Sequence, residues 1–204
     1  MEHRSGLGAR MTKESDSAMP MQTAQDLFIH ELGDMYDAEQ RIAQMLPMLA
    51  TECNNDQVRT AFEFHAQQTR QHIQNLDRCF QALGVQAPKV TCTAIQGLKQ
   101  EHDSFVKESP SQDILTMFDL GGASKTEHYE IASYTDLINA ARQLGQQQCA
   151  QLLQQNLQQE QEMEQRVSQL SQQLGRQMSQ SGMMGRPGAR TDATQMGQQS
   201  AGGI

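Results

Sequence analysis

The sequence has no tryptophan, only 4% aromatic residues, and far fewer valines and isoleucines than glutamines. Sheets favour β-branched and aromatic side chains that fit a pleated, half-buried surface, so this scarcity argues against a β or mixed fold. Helix formers take their place, and the expectation is an all-α chain. No apolar run approaches the roughly 18 residues that a bilayer-spanning helix needs. The opening "MEHRSGLGARMTKESDSAMPMQ" also lacks the apolar segment of a secretory leader. No membrane partner is expected, and the expected compartment is the cytoplasm. Positive charge is short as well, with 16 basic against 24 acidic residues and a net charge of −8. No basic patch with interleaved aromatics is present to neutralise phosphates, so nucleic acid is not an expected partner. The four cysteines, Cys53, Cys79, Cys92 and Cys149, stand far apart and form no CxxC pair. They indicate neither a zinc ribbon nor a dense disulfide framework and read as reduced, buried thiols.

What the chain does have is periodicity. Its 204 residues suit one domain with tails. Residues 1–22 are polar and aperiodic and read as a disordered arm. Residues 176–204, rich in Gly, Gln, Ser and Met, read as a disordered tail with nothing to bury. Between them, over 23–175, four segments repeat apolar residues at helical spacing. The first, about 23 to 51, carries Phe28, Leu32, Met35, Glu39, Ile42, Leu46 and Leu49 on one stripe. The second, about 55 to 83, carries Val58, Phe62, His65, Thr69, His72, Leu76, Cys79 and Leu83, and Gly84 takes the position after its end that favours glycine. The third, about 112 to 144, carries Ala123, Glu127, Glu130, Tyr134, Leu137, Ala141 and Leu144. The fourth, about 146 to 174, carries Leu153, Leu157, Glu160, Glu164, Val167 and Leu174, with Gly175 at its expected end.

Short links predict two antiparallel hairpins, the first helix with the second and the third with the fourth. Residues 85–111 are long enough to cross the whole bundle and contain a short helix at about 92 to 107. One long crossover in a four-helix bundle is the ferritin-like arrangement.

Each stripe turns polar near its middle. Glu39 precedes His72 by 33 residues, and Glu127 precedes Glu160 by the same interval, so hairpins of matching length bring these positions to one level. Residues three or four apart share a helix face, which makes Glu127 with Glu130, and Glu160 with Glu164, two carboxylate clamps. One glutamate on an apolar stripe usually sits solvated at a helix edge. Five carboxylates mid-stripe on three helices are harder to place, because buried like charges cost several kcal/mol apiece unless compensated. Protonation, pairing with a base, or bound metal are the three remedies. No lysine or arginine stands on the stripes at that level, which weighs against pairing. An oxygen-rich set with one or two imidazoles suits iron or manganese. His65 and His72 lie about 10.5 Å apart along a helix and do not suit one ion, so one of the two is expected to be a core or supporting residue. Tyr36, Tyr129 and Tyr134 are expected to pack and offer hydroxyls to carboxylates, and His128 to lie at the helix edge. The abundant methionine reads as core filler and low complexity.

"LFIHELGDMYDAEQRIAQMLPMLA" (27–50), "TCTAIQGL" (91–98), "KTEHYEIASYTDLINAARQLG" (125–145) and "LLQQNLQQE" (152–160) resemble the YciF-like family, a ferritin-like group of bacterial proteins formerly known only as a domain of unknown function. "EHYEIASY" is the most specific piece. The resemblance covers about 25 to 172 and implies a ferritin-like bundle, often a homodimer or larger homo-oligomer, with a dinuclear metal site and a link to stress responses. It places Glu39, Glu127, Glu130 and Glu160 at the family's acidic positions and His65 and Thr69 in its second-helix motif. Where the family usually reads "HLEET", this chain reads "HAQQT", so Gln67 and Gln68 replace an acidic pair, and because an amide oxygen is a weaker, neutral ligand, reduced metal affinity or a single ion is expected.

Two functions are open at this level. One is a protein holding one or two iron or manganese ions through Glu39, His65, His72, Glu127, Glu130, Glu160 and Glu164, with redox chemistry on oxygen or peroxide; no catalytic residue is assigned. The other is a non-enzymatic helical stress protein that has lost or weakened metal binding and associates with itself or a partner.

Overall fold

The computed structural model describes residues 21–182. They form five helices, α1 (Ala24–Glu52), α2 (Asp56–Leu83), α3 (Thr93–Val106), α4 (Gln112–Gln143) and α5 (Gln147–Gln180), and no strand is present among the described residues. The expected arm, up to residue 20, and the expected tail beyond residue 182 lie outside the described residues.

Local chemistry sets the ends. Thr23 and Asp26 close a capping box at the start of α1, each side chain accepting from the other's backbone N–H. Asn55 Oδ1 accepts from the N–H groups of Gln57 and Val58 to start α2. At the far end of α2, Gly84 is left-handed at φ 69°, as its position after the last turn predicts. The fourth long helix departs from expectation by running through Gly175 to Gln180. Leu174 and Met178 are both buried there, and extending the apolar stripe outweighs the roughly 1 kcal/mol that a helical glycine costs.

Residues 53–55 join α1 to α2, and 144–146 join α4 to α5, giving two hairpins. The hairpins pack with α1 against α4 and α2 against α5. Asn54 accepts from Thr116, while Tyr134 donates to Glu39, so α1 and α4 run antiparallel. His72 meets Gln159 and Asn75 meets Asn156, so α2 and α5 do too. Those directions require the α2–α4 link to travel the length of the bundle, and α3 lies on it, against α1 and α4. The core is one continuous cluster. Phe28, Leu32, Leu76, Phe80, Leu137 and Leu153 fill one end, and Leu46, Val58, Phe62, Leu120, Val167 and Leu170 fill the other. Each such side chain stabilises the fold by about 1.5–3 kcal/mol. All four cysteines are buried and unbridged.

The crossover is seated on α1 through Gly33, where an added Cβ would come within 2.5 Å of the Pro88 ring. Gly33→Ala therefore lowers unfolding stability by about 1–3 kcal/mol, an overpacking cost. Gly97→Ala on α3, whose Cβ would meet nothing, is neutral or gains about 0.5–1 kcal/mol. Urea unfolding of the two variants checks this; equal midpoints would refute the close seating.

Candidate metal centre

Between the two apolar ends, Glu39 of α1, His65 and His72 of α2, Glu127 and Glu130 of α4 and Glu160 of α5 meet, all of them at most 2% exposed. They form two groups whose ligand atoms lie within 4.8 Å of one another, His65 with Glu127, Glu130 and Glu160, and Glu39 with His72 and Glu160. Glu160 belongs to both. One of its oxygens is 2.8 Å from His72 Nδ1 and the other 3.5 Å from His65 Nε2. Glu39 Oε1 is 3.2 Å from His72 Nδ1, and Glu127 Oε1 is 3.3 Å from His65 Nε2. The equal 33-residue intervals thus bring Glu39 to His72 across one hairpin and Glu127 to Glu160 across the other.

The surrounding polar residues turn these groups inward. His65 Nδ1 faces Gln68 Oε1 at 3.4 Å, and His72 Nε2 faces Gln159 Oε1 at 2.8 Å. An amide oxygen only accepts, so each histidine keeps a proton on its outer nitrogen and turns the inner one to the carboxylates. Tyr134 donates to Glu39 and accepts from Asn156 at 3.0 Å, and Asn75 donates to Asn156 at 2.7 Å. Tyr129 donates to Asp34 at 2.5 Å, outside the centre. Tyr129 and Tyr134 thus offer hydroxyls to acids as expected, while Tyr36 packs edge-on against Phe80.

Proximity does not satisfy the centre. Glu39 Oε2, His65 Nε2, His72 Nδ1, Glu127 Oε2 and both oxygens of Glu130 and Glu160 are buried without a hydrogen bond of acceptable geometry. Burial pushes the carboxyls of Glu127 and Glu130 well above their ordinary range, the charge of Glu160 adds to this, and burial also raises Glu39. Glu160 goes the other way, because the close approach of His72 and the charges of both histidines outweigh its burial. Burial pulls His72 down, but the charges of Glu39 and Glu160 close to its inner nitrogen win, and it rises to about 10. His65 is lowered by burial. With nothing bound, the centre is a His72–Glu160 ion pair among reluctant acids.

Two expectations change. Glu164 joins neither group and is only half-buried. It lies about 40° further round α5 than Glu160, and Met163 and Val167 carry the buried line instead. Neither histidine stands aside as a core residue. Each anchors one group, with ring centroids 6.3 Å apart across Glu160. Gln68 faces the outer nitrogen of His65 and not the carboxylates.

A third group escaped the sequence reading, Glu52 of α1 with His102 of α3 and Asp119 of α4. Burial raises the Asp119 carboxyl to about 7 against the opposing charge of His102. Asp119 was detectable, since it stands eight residues before Glu127 on the same stripe. His102 was not, because its partners come from two other helices.

Residues 23–180 match the family described as a domain of unknown function (DUF892). The chain belongs to this family. Protein YciF of Escherichia coli (strain K12) is 33% identical over 138 residues, spanning 67% of this chain and 83% of YciF. The crystal structure of the E. coli stress protein YciF superposes with a TM-score of 0.73 at 30% identity, covering 76% of this chain and 99% of that one. YcfI from Rhodopseudomonas palustris gives 0.70 at 34% identity, over 72% and 94% of the two chains. This DUF892 protein is thus an all-α, ferritin-like bundle like its relatives. Among the described residues, no helix is long and apolar enough to cross a membrane.

The titration shifts set a pH dependence for the metal-free protein. Raised groups stabilise the fold below their unfolded values and lose that contribution as pH climbs through their folded ones. For Glu39, Glu127 and Glu130 the loss begins above 4.5, and for His72 it runs from 6.5 to about 10. Glu160, being lowered, contributes above 4.5 and loses its share in acid. Chelator-treated protein should therefore lose stability between pH 6.5 and 10, by on the order of several kcal/mol from His72. Thermal melts across that window check it, and a flat profile would contradict the ion pair.

Proposed function

We propose that this centre binds two first-row divalent ions, iron or manganese, and acts on a small oxidant, dioxygen or peroxide. The observation that carries the reading is Glu160, whose two oxygens face two different histidine groups while both lack hydrogen bonds. A buried carboxylate whose two oxygens lie beside imidazole nitrogens without a hydrogen bond is costly, and a cation in each group, with Glu160 facing both, removes the cost.

The donor set fits. Glu39 and His72 would hold one ion, His65, Glu127 and Glu130 the other, and Glu160 both. The set is carboxylate and imidazole without thiolate, which suits iron or manganese better than a structural zinc. Such ions, when bound, supply one-electron chemistry toward oxygen or peroxide. The protein's part is positional. Gln68 and Gln159 fix which imidazole nitrogens face inward, Tyr134 holds Glu39, and the apolar ends keep bulk water away. A cavity of about 50 Å³ beside His65 and Glu127 has room for a molecule the size of an oxidant, since one water needs about 10–15 Å³. The reading also extends to this chain the stress role named for the E. coli relative.

Anaerobic loading of untagged protein with Fe(II) or Mn(II), followed by elemental analysis, tests the proposal. The centre should hold two ions per chain in wild type and in Glu164→Ala, and none in Glu160→Gln. Metal at 100 times its dissociation constant should add about 2.7 kcal/mol of stability. Wild-type protein that takes up no metal and melts unchanged would overturn it, and would favour a non-enzymatic helical protein that works by association.

A further inference from the structure

The group at Glu52, His102 and Asp119 is outside the centre and has its own unmet polar atoms. His102 Nε2 is 2.9 Å from Glu52 Oε2 and 3.5 Å from Asp119 Oδ1. That nitrogen carries one proton at most, and Glu52 lies nearer to it. Asp119 is 2% exposed, and neither of its oxygens has a hydrogen-bond partner. The lysines and arginines nearby are engaged elsewhere, Lys99 with Asp103, Lys125 with Glu101 and Arg59 with Asp56. His102 Nδ1 faces Asp103 Oδ1 at 3.4 Å. A carboxylate on the outer nitrogen is the usual support of a ligating imidazole, because it leaves the other nitrogen free of its proton.

Position adds a second argument. Side-chain exposure falls from 31% at Glu52 to 11% at His102 and none at Asp119, so the group reaches from solvent into the fold. The 50 Å³ cavity is lined both by His102 and Asp119 and by His65 and Glu127 of the centre, with Ile42 and Phe118 among its walls. Asp119 and Glu127 are about 12 Å apart along α4 by the helical rise.

We propose that Glu52, His102 and Asp119 form a second divalent-cation site, separate from the centre, at which an ion halts between solvent and the cavity. One imidazole and two carboxylates suit Mn(II), Fe(II) or Co(II). Binding at this site stands on its own three side chains, whereas its role in transit rests on the metal reading of the centre.

Mn(II) titration of the full chain, followed by the loss of free-ion resonance signal, separates the two sites. The variants are His102→Ala, Asp119→Asn, which keeps the side chain's shape, and Glu160→Gln, each first shown to melt like wild type in chelator. His102→Ala and Asp119→Asn should each bind one ion fewer than wild type and fill the centre at least ten times more slowly. Glu160→Gln should retain one ion, lost again on adding His102→Ala. A chain that binds a single ion, sensitive to His102→Ala but not to Glu160→Gln, would support this site and refute the metal reading of the centre. Unchanged stoichiometry in both His102→Ala and Asp119→Asn would overturn the site, and a lost ion with an unchanged filling rate would overturn its role in transit.

Discussion

Everything in the middle of this bundle is organised by the burial of Glu160. Its carboxylate lies between two imidazoles on α2, and none of the three groups finds a hydrogen bond for its inward atoms. Glu39, Glu127 and Glu130 crowd the same space. In an apolar interior each such group would be expensive alone, and together they repel. The fold tolerates the layer because apolar residues on either side supply most of its stability, leaving the middle free to be shaped by chemistry rather than by packing.

That shaping is done by residues with little chemistry of their own. Gln68 and Gln159 accept from the outer nitrogens of the two histidines, and the Tyr134–Asn156–Asn75 chain steadies Glu39 from behind. The glutamine at position 68, which replaces an acid of the family's pattern, faces the outer nitrogen of His65 and so orients that imidazole. Its neutral amide fits that task, since it adds no further negative charge to a site already crowded with carboxylates.

Much of this was legible from periodicity. Stripes of three-and-four spacing located the long helices, the short links gave the hairpins, and the long link gave the crossover, because backbone hydrogen bonding and apolar burial act locally along the chain. Matching intervals placed Glu39 near His72 and Glu127 near Glu160. The end of α5 was less legible, since Gly175 is a good stop signal that buried Leu174 and Met178 override. Glu164 was misplaced because spacing of four from Glu160 drifts off the buried line, and only the packing of neighbouring helices fixes where that line lies.

The sequence by itself determined the helices, their pairing and the level at which polar residues interrupt the core, since these follow from the repeat of apolar side chains. Only the tertiary structure decided which nitrogen of each histidine faces inward, that both histidines lie among the carboxylates, and that Glu52, His102 and Asp119 meet. Those outcomes depend on how helices distant in sequence turn toward one another. A side chain's direction across a bundle is set by its neighbours and not by its own segment.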